Sequence, residues 1–301
     1  MTDTYTISSD RLKARFTPFG ARMRALHLDG GPNLILDSDA PDFVAAYGGV
    51  LIGPVANRVR NGRVEIDGET YQMPQNEGPT SLHSGPDGAH ARMWAVTDHG
   101  PSHLVLSLDL SDGACGLPGH RQITATFAVS GPTLRLRVDA VTDRPTPLAF
   151  AHHPYWALGG TPTLRCPAAH YLPTDAANVP TGDIALVSGT TFDFRTARPL
   201  PPEIDHNLCL AGQRHAEPQT VATLSGDAAT LTIDSTEPGL QVYSGSGLPD
   251  VPDSDIGPFA GCALEPQDWP NAVNEPDFPA VLVTPASPYR QITRYTLRAA
   301  T

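Results

Sequence analysis

Apolar residues fall at every second position along several stretches of this chain, and that repeat restricts what it can fold into. Leu104, Leu106, Leu108 and Leu110 occupy alternate positions, as do Ile123, Ala125, Phe127 and Val129. Leu134, Leu136 and Val138 continue the pattern, followed by Leu231 and Ile233, then by Thr293, Tyr295 and Leu297 near the end. Side chains two apart lie on one face of an extended chain, so each run reads as a half-buried strand of about five to nine residues. The i, i+3, i+4, i+7 stripe of an amphipathic helix is absent, although 40–48 and 175–180 have room for single turns. The 31 prolines and 27 glycines supply the turns that many short strands require. The expected fold is all-β, a large antiparallel β-sandwich or a barrel. No linker and no internal repeat interrupts the pattern, so residues 1–301 are expected to form one domain.

One hairpin is explicit in its details. Val64 and Ile66 alternate with polar neighbours, Asp67-Gly68 is the residue pair that a type I′ turn requires, and Tyr71 and Met73 resume the alternation. An Asn57-Arg58 pair precedes this hairpin and His83, framed by glycine and proline, follows it. Polar residues held on loops by a rigid sheet are the usual means of binding small hydroxylated ligands.

Charge and composition exclude several classes of function. With 20 basic and 32 acidic residues the net charge is −12. Such a surface argues against nucleic acid or an anionic membrane as partner, because both are polyanions. A neutral small molecule fits better. No run of 18 apolar residues is present to span a bilayer. The opening MTDTYTISSD has neither the basic nor the apolar region of a secretory signal. Cys115, Cys166, Cys209 and Cys262 are scattered without CxxC spacing, which predicts reduced thiols, no zinc site and a cytoplasmic protein. The phosphate-binding motifs GxxxxGK[ST] and GxGxxG, the nucleophile elbow GxSxG and the zinc motif HExxH are all missing.

Three neighbourhoods can carry chemistry. In the first, Asn57 offers donor and acceptor and Arg58 a rigid fork of donors, suited to hydroxyls and ring oxygens. An ordinary ion-paired arginine and a structural loop histidine are the alternatives there. The second is AHHPYWAL, 151–158, where successive side chains of an extended segment point to opposite faces. His152 and His153 then cannot address one site, which weakens a metal reading. Pro154 restricts the backbone of His153, and an imidazole held this way beside Tyr155 suits a general acid or base; a structural pair at a sheet edge is the alternative. The third is ALEPQDWPNAVNEPDFP, 263–279, where Glu265 closes a short apolar run. A carboxylate there is either paired or functional, because burying it alone is costly. Gln267 and Trp269 add a polar head and an apolar plate of the kind used to grip a sugar. Asp205 in EIDHNLCL and Gln241 in GLQVYSG sit at strand-like edges.

Taken together and in order, ANRVRNG, GPTSLHSG, HHPYWAL, TFDFRT, IDHNLCL, GLQVYSG and LEPQDWPNAVNEPDFP resemble the aldose 1-epimerase (mutarotase) family from about residue 15 to 298. The resemblance implies a galactose mutarotase-like supersandwich that binds a free aldose on an open face, with no metal and no cofactor. It implies sugar-binding roles for Asn57, Arg58, His83, Tyr155, Asp205 and Gln241, and catalytic roles for His153 and Glu265. His152 and Ala157 stand where the family carries asparagines, Pro54 where arginine is common, and Pro266 where threonine is frequent. These departures bear on which sugar is preferred and leave the acid and base in place. The partner is expected to be a small-molecule aldose, with the protein a monomer or homodimer.

Interconverting anomers needs a base for the C1 hydroxyl proton and an acid for the ring oxygen, so Glu265 as base and His153 as acid predict a bell-shaped pH profile. A hexose-6-phosphate epimerase is the nearer alternative and needs a cationic pocket, for which Arg22, Arg24, Arg58, Arg60 and Arg92 are the candidates. A sugar-binding module without catalysis is the more distant one.

Overall fold

The computed structural model describes residues 3–300. Its largest element is a nine-stranded antiparallel sheet. The order across it is Arg198–Pro199, Thr163–Arg165, Gln219–Ser225, Ala229–Ser235, Tyr289–Ala299, Thr133–Thr142, Arg121–Ser130, His103–Leu110 and Ala95–Gly100. The five alternating runs between Leu104 and Leu297 all lie in this sheet, and in each the repeating residues are the buried ones. The register places them side by side, with Leu104 opposite Phe127, Phe127 opposite Leu136 and Leu134 opposite Tyr295. One face of the sheet is thereby largely apolar across its inner strands.

That face is covered by a six-stranded sheet and by a three-stranded antiparallel sheet of Tyr5–Ser8, Leu12–Thr17 and Arg22–Leu28. The six run in the order Tyr155–Trp156, Cys262–Gln267, Gly239–Tyr243, Asp205–Cys209, His170–Tyr171 and Ala185–Leu186. Leu208, Leu240, Val242 and Leu264 turn inward and join Leu104, Phe127, Leu136 and Leu231 in one core cluster. Phe16 meets Phe127 with ring centroids 4.4 Å apart, and Trp156 meets Tyr295 at 5.2 Å. The expectation of an all-β antiparallel sandwich therefore holds.

Smaller expectations hold in detail. Arg63–Ile66 pairs with Glu69–Gln72, and Asp67 and Gly68 take φ of 52° and 83°, as a type I′ turn demands. Residues 40–48 contain one helical turn, Pro41–Ala45, with proline in its first turn. Residues 175–180 form hydrogen-bonded turns instead of helix, closed by Asn178 N–H to Asp175 O and Asp175 N–H to Val179 O. The four cysteines are all buried and unpaired. Among the described residues no helix is long and apolar enough to cross a membrane.

The six-stranded sheet matters most for function because its second face is polar. Gln241 lies opposite both Asn207 and Glu265 in the register, and Asp205 lies opposite Tyr243. The strand period of two that sends Leu240, Val242 and Leu264 into the core sends Gln241 and Glu265 the other way.

Candidate functional site

A cavity of about 500 Å³ opens over that polar face. Its volume lies in the range of small-molecule sites. Seven of the eight residues expected from sequence line it: Asn57, Arg58, His83, His153, Tyr155, Asp205 and Glu265. The eighth, Gln241, stands directly behind, donating from Nε2 to Asp205 Oδ1 at 2.7 Å. Residues more than 200 positions apart are thus gathered into one hollow by the sheet and by the loops before and after the hairpin.

Asn57 and His83 are locked together. The Asn57 N–H donates to His83 Nδ1 at 3.1 Å, and the His83 N–H donates to Asn57 O at 3.0 Å. Both residues have positive φ, 61° and 54°, a conformation asparagine tolerates better than most residues and one that these reciprocal bonds hold in place. Because Nδ1 accepts a hydrogen bond, the ring proton sits on Nε2, which makes this side of the imidazole a donor. Burial, together with the neighbouring imidazoles of His153 and His90, holds the His83 pKa well below the usual value, so the ring is neutral.

Arg58 is clamped by two carboxylates. Its Nε and Nη2 donate to Glu77 at 2.6 and 2.9 Å, and its Nη1 to Asp205 Oδ2 at 3.5 Å. Glu77 and Glu203 also line the cavity, so with Asp205 and Glu265 the acids there outnumber the single arginine. The other arginines considered for a phosphate pocket are engaged elsewhere. Arg22 and Arg24 bind Asp37 and Asp39, Arg60 binds Asp175, and Arg92 lies beside Asp87. None of them lines the cavity.

His152 and His153 face opposite ways, as an extended segment requires. His152 enters the core, with Nδ1 3.3 Å from the Tyr295 hydroxyl and its ring against Phe127. His153 faces the cavity, its Nε2 3.5 Å from Glu265 Oε1. Both members of that pair are almost wholly buried, at 5 % and 2 % exposure. Burial pushes Glu265 well above the ordinary carboxylate range, with Asp205 adding to the rise, and it pushes His153 down to about 4. Two other buried carboxylates provide a contrast. Glu237 and Asp268 both receive hydrogen bonds from Arg214, whereas among the described residues no lysine or arginine pairs with Glu265. A buried acid left facing an imidazole in a cleft has the signature of a functional group.

Some expectations need correction. Trp269 does not present an apolar plate to the cavity: its indole N–H donates to Pro238 O at 2.9 Å and its ring packs on Phe278. Gln267 is fully buried and donates to Asp268 O. Both follow Glu265 closely in sequence, yet neither lines the cavity. Tyr155 lines the site, and its hydroxyl donates to Ala46 O at 2.9 Å. Tyr47, Glu77, Glu203 and Tyr243 line the cavity and were not anticipated. Glu77 sits six residues before His83, and its place in the same loop was the available signal.

Comparison with known proteins agrees with this geometry. The family model described as aldose 1-epimerase matches residues 3–296. A galactose mutarotase from Sus scrofa is 30 % identical over 99 % of this chain and 94 % of that protein. An aldose 1-epimerase from Escherichia coli K12 is 30 % identical over 83 % of this chain and 80 % of its own length. Among solved structures, an aldose epimerase homologue from C. elegans superimposes with a TM-score of 0.91 at 28 % identity, covering all of both chains. The sandwich, the acid–imidazole pair on its polar face and this similarity along the whole length converge: the chain belongs to the aldose 1-epimerase family.

Proposed function

We propose that the chain interconverts the α and β anomers of a free, uncharged aldose, with Glu265 and His153 as its proton-transferring pair. The observation that carries this reading is the 3.5 Å approach of Glu265 Oε1 to His153 Nε2 at the buried floor of the cavity. As members of this family are isomerases, the chemistry required is ring opening, rotation and closure. Glu265 takes the proton from the C1 hydroxyl as the C1–O5 bond breaks and the aldehyde C=O forms, and His153 gives its proton to O5. Rotation about C1–C2 presents the other face of the aldehyde. Closure then runs the two transfers backwards, with O5 returning its proton to His153 and Glu265 protonating O1.

One proton shared by two groups serves both halves of this cycle. In the empty cavity burial favours the uncharged arrangement, with the proton on Glu265 and none on His153. That is also the arrangement reached when the ring is open. Sugar hydroxyls entering the cavity offer hydrogen bonds to the carboxylate and so restore its ionised form beside a protonated imidazole. Asp205, Arg58, Asn57 and the Nε2 donor of His83 hold the remaining hydroxyls, and Gln241 fixes Asp205 from behind.

The free sugar is favoured over a sugar phosphate by charge. Arg58, the arginine that lines the cavity, is already matched by Glu77 and Asp205, so a phosphate would meet two further carboxylates, Glu203 and Glu265, without an unpaired cation. The test is polarimetry of freshly dissolved α-D-galactose, α-D-glucose and L-arabinose, with NMR exchange for glucose 6-phosphate. Turnover of at least one free sugar with kcat/KM ten-fold or more above that of the phosphate is expected. The opposite ranking refutes the proposed substrate class.

A further inference from the structure

Three tyrosines line the cavity: Tyr47, Tyr155 and Tyr243. Two of their hydroxyls are engaged within the protein. Tyr155 donates to Ala46 O, and Tyr243 accepts the Gly247 N–H at 2.6 Å. The Tyr47 hydroxyl makes no hydrogen bond to any described residue.

The position of Tyr47 is unusual in its backbone as well. It follows the Pro41–Ala45 turn and takes φ of +63°, a left-handed conformation that an aromatic residue rarely adopts. Glycine would meet this backbone demand without strain, and glycines do follow at 48 and 49, where a Cβ would lie 2.4 Å from the Phe43 ring and 2.2 Å from Met23 O. A tyrosine kept in such a place implies a task for its side chain. The loop is also fastened to the reacting segment. Gly49 N–H donates to His153 O, His153 N–H donates to Val50 O, and the Tyr155 hydroxyl holds Ala46. The Tyr47 ring lies 4.5 Å from that of His83, 5.0 Å from His90 and 6.3 Å from His153, centroid to centroid. Burial and the nearby carboxylate of Glu77 raise its pKa, so the phenol keeps its proton and remains a donor.

We propose that Tyr47 is a substrate-binding residue, its ring forming a wall of the cavity and its free hydroxyl bonding a sugar hydroxyl beside Arg58 and Glu77. The inference rests on the anomer-exchange reading above and adds to it a contact that selects among sugars. Which hydroxyl is met decides which epimers and deoxy sugars are accepted, because a site built to hydrogen-bond a hydroxyl discriminates against analogues lacking it.

The experiment compares wild type with Tyr47→Phe, which keeps the ring, on galactose and on its 2-, 3-, 4- and 6-deoxy analogues. KM and kcat come from polarimetry, and thermal melting serves as a check on folding. Tyr47→Phe is expected to lower kcat/KM for galactose about five- to ten-fold, mainly through KM, the size of one neutral hydrogen bond. For one deoxy analogue the two enzymes should become equal, because the bond is already missing. A Tyr47→Phe enzyme equal to wild type on galactose overturns the proposal. So does a deficit of the same size on every analogue, which marks a merely structural role. Absence of turnover by wild type on all sugars would instead sink the underlying anomer-exchange reading.

Discussion

Replacing Glu265 by glutamine keeps the volume of the side chain while removing its charge and its basicity. Two consequences of opposite sign follow from the same burial. Anomer exchange should fall by about 10²- to 10⁴-fold, the usual contribution of a well-placed acid or base. Stability should rise. The carboxyl is 2 % exposed, pairs with no lysine or arginine among the described residues, and has its pKa raised by burial first and by Asp205 second. A group with a folded-state pKa above its unfolded value costs stability wherever the unfolded chain has released the proton. Below the unfolded pKa, near 4.3, that cost is zero; it grows as pH rises and is complete above the folded-state pKa. Each tenfold displacement of the proton equilibrium corresponds to about 1.4 kcal/mol. One kcal/mol moves Tm by about 2–4 °C in chains of 150–250 residues. Glu265→Gln should therefore melt at least about 2 °C above wild type at pH 8, and the gain should vanish near pH 4. Differential scanning calorimetry from pH 4 to 9, run beside polarimetry, measures both effects. A variant that retains wild-type kcat, or that melts lower than wild type at pH 8, would refute the reasoning.

Two further expectations concern protons. The rate should hold across neutral pH and fall on the acid side near pH 4, where His153 takes a second proton onto the pair, and on the alkaline side above the raised Glu265. Background-corrected NMR exchange rates would show it, and an acid limb centred near 6.5 would contradict the burial of His153. His152 provides a stability test free of catalysis, since its pKa is pushed down to about 3 by burial and then by His153. The unfolded chain binds a proton that the native state refuses, so this contribution is intact above about pH 6.5 and is lost as pH falls toward 3. His152→Asn should gain about 2 kcal/mol on wild type between pH 8 and pH 5 in urea titrations, and an unchanged difference would rule this out.

The nine-stranded sheet was legible because one of its faces is wet, so burial alternates along each strand and leaves a period of two in the sequence. The six-stranded sheet was not, for a physical reason. All six residues of Cys262–Gln267 are buried, as are four of five in Gly239–Tyr243, and their strands are short. A strand covered on both faces carries no alternation, and polar residues buried under a cavity obscure the signal further. Glu265 was recognisable through its placement at the end of an apolar run. Trp269 was misread because nearness in sequence to Glu265 was taken for nearness in space, and the strand ends between them. Tyr47 and Glu77 lie on irregular loops, where no periodicity reveals which side chain turns inward. The charge of the chain gave the right sign for the cavity, while the pairing of Arg58 with Glu77 required the fold.

The back-to-back placement of His152 and His153 has a consequence for how this enzyme can vary. Two imidazoles that are neighbours along the chain serve opposite environments, one lodged among aromatic rings and the other facing the cavity. One residue inserted or deleted just upstream would exchange them, turning the lodged ring toward the cavity and driving its neighbour into oil. Length changes should therefore be forbidden between Leu148 and Trp156, so that this short span acts as a ruler for which imidazole meets the cavity.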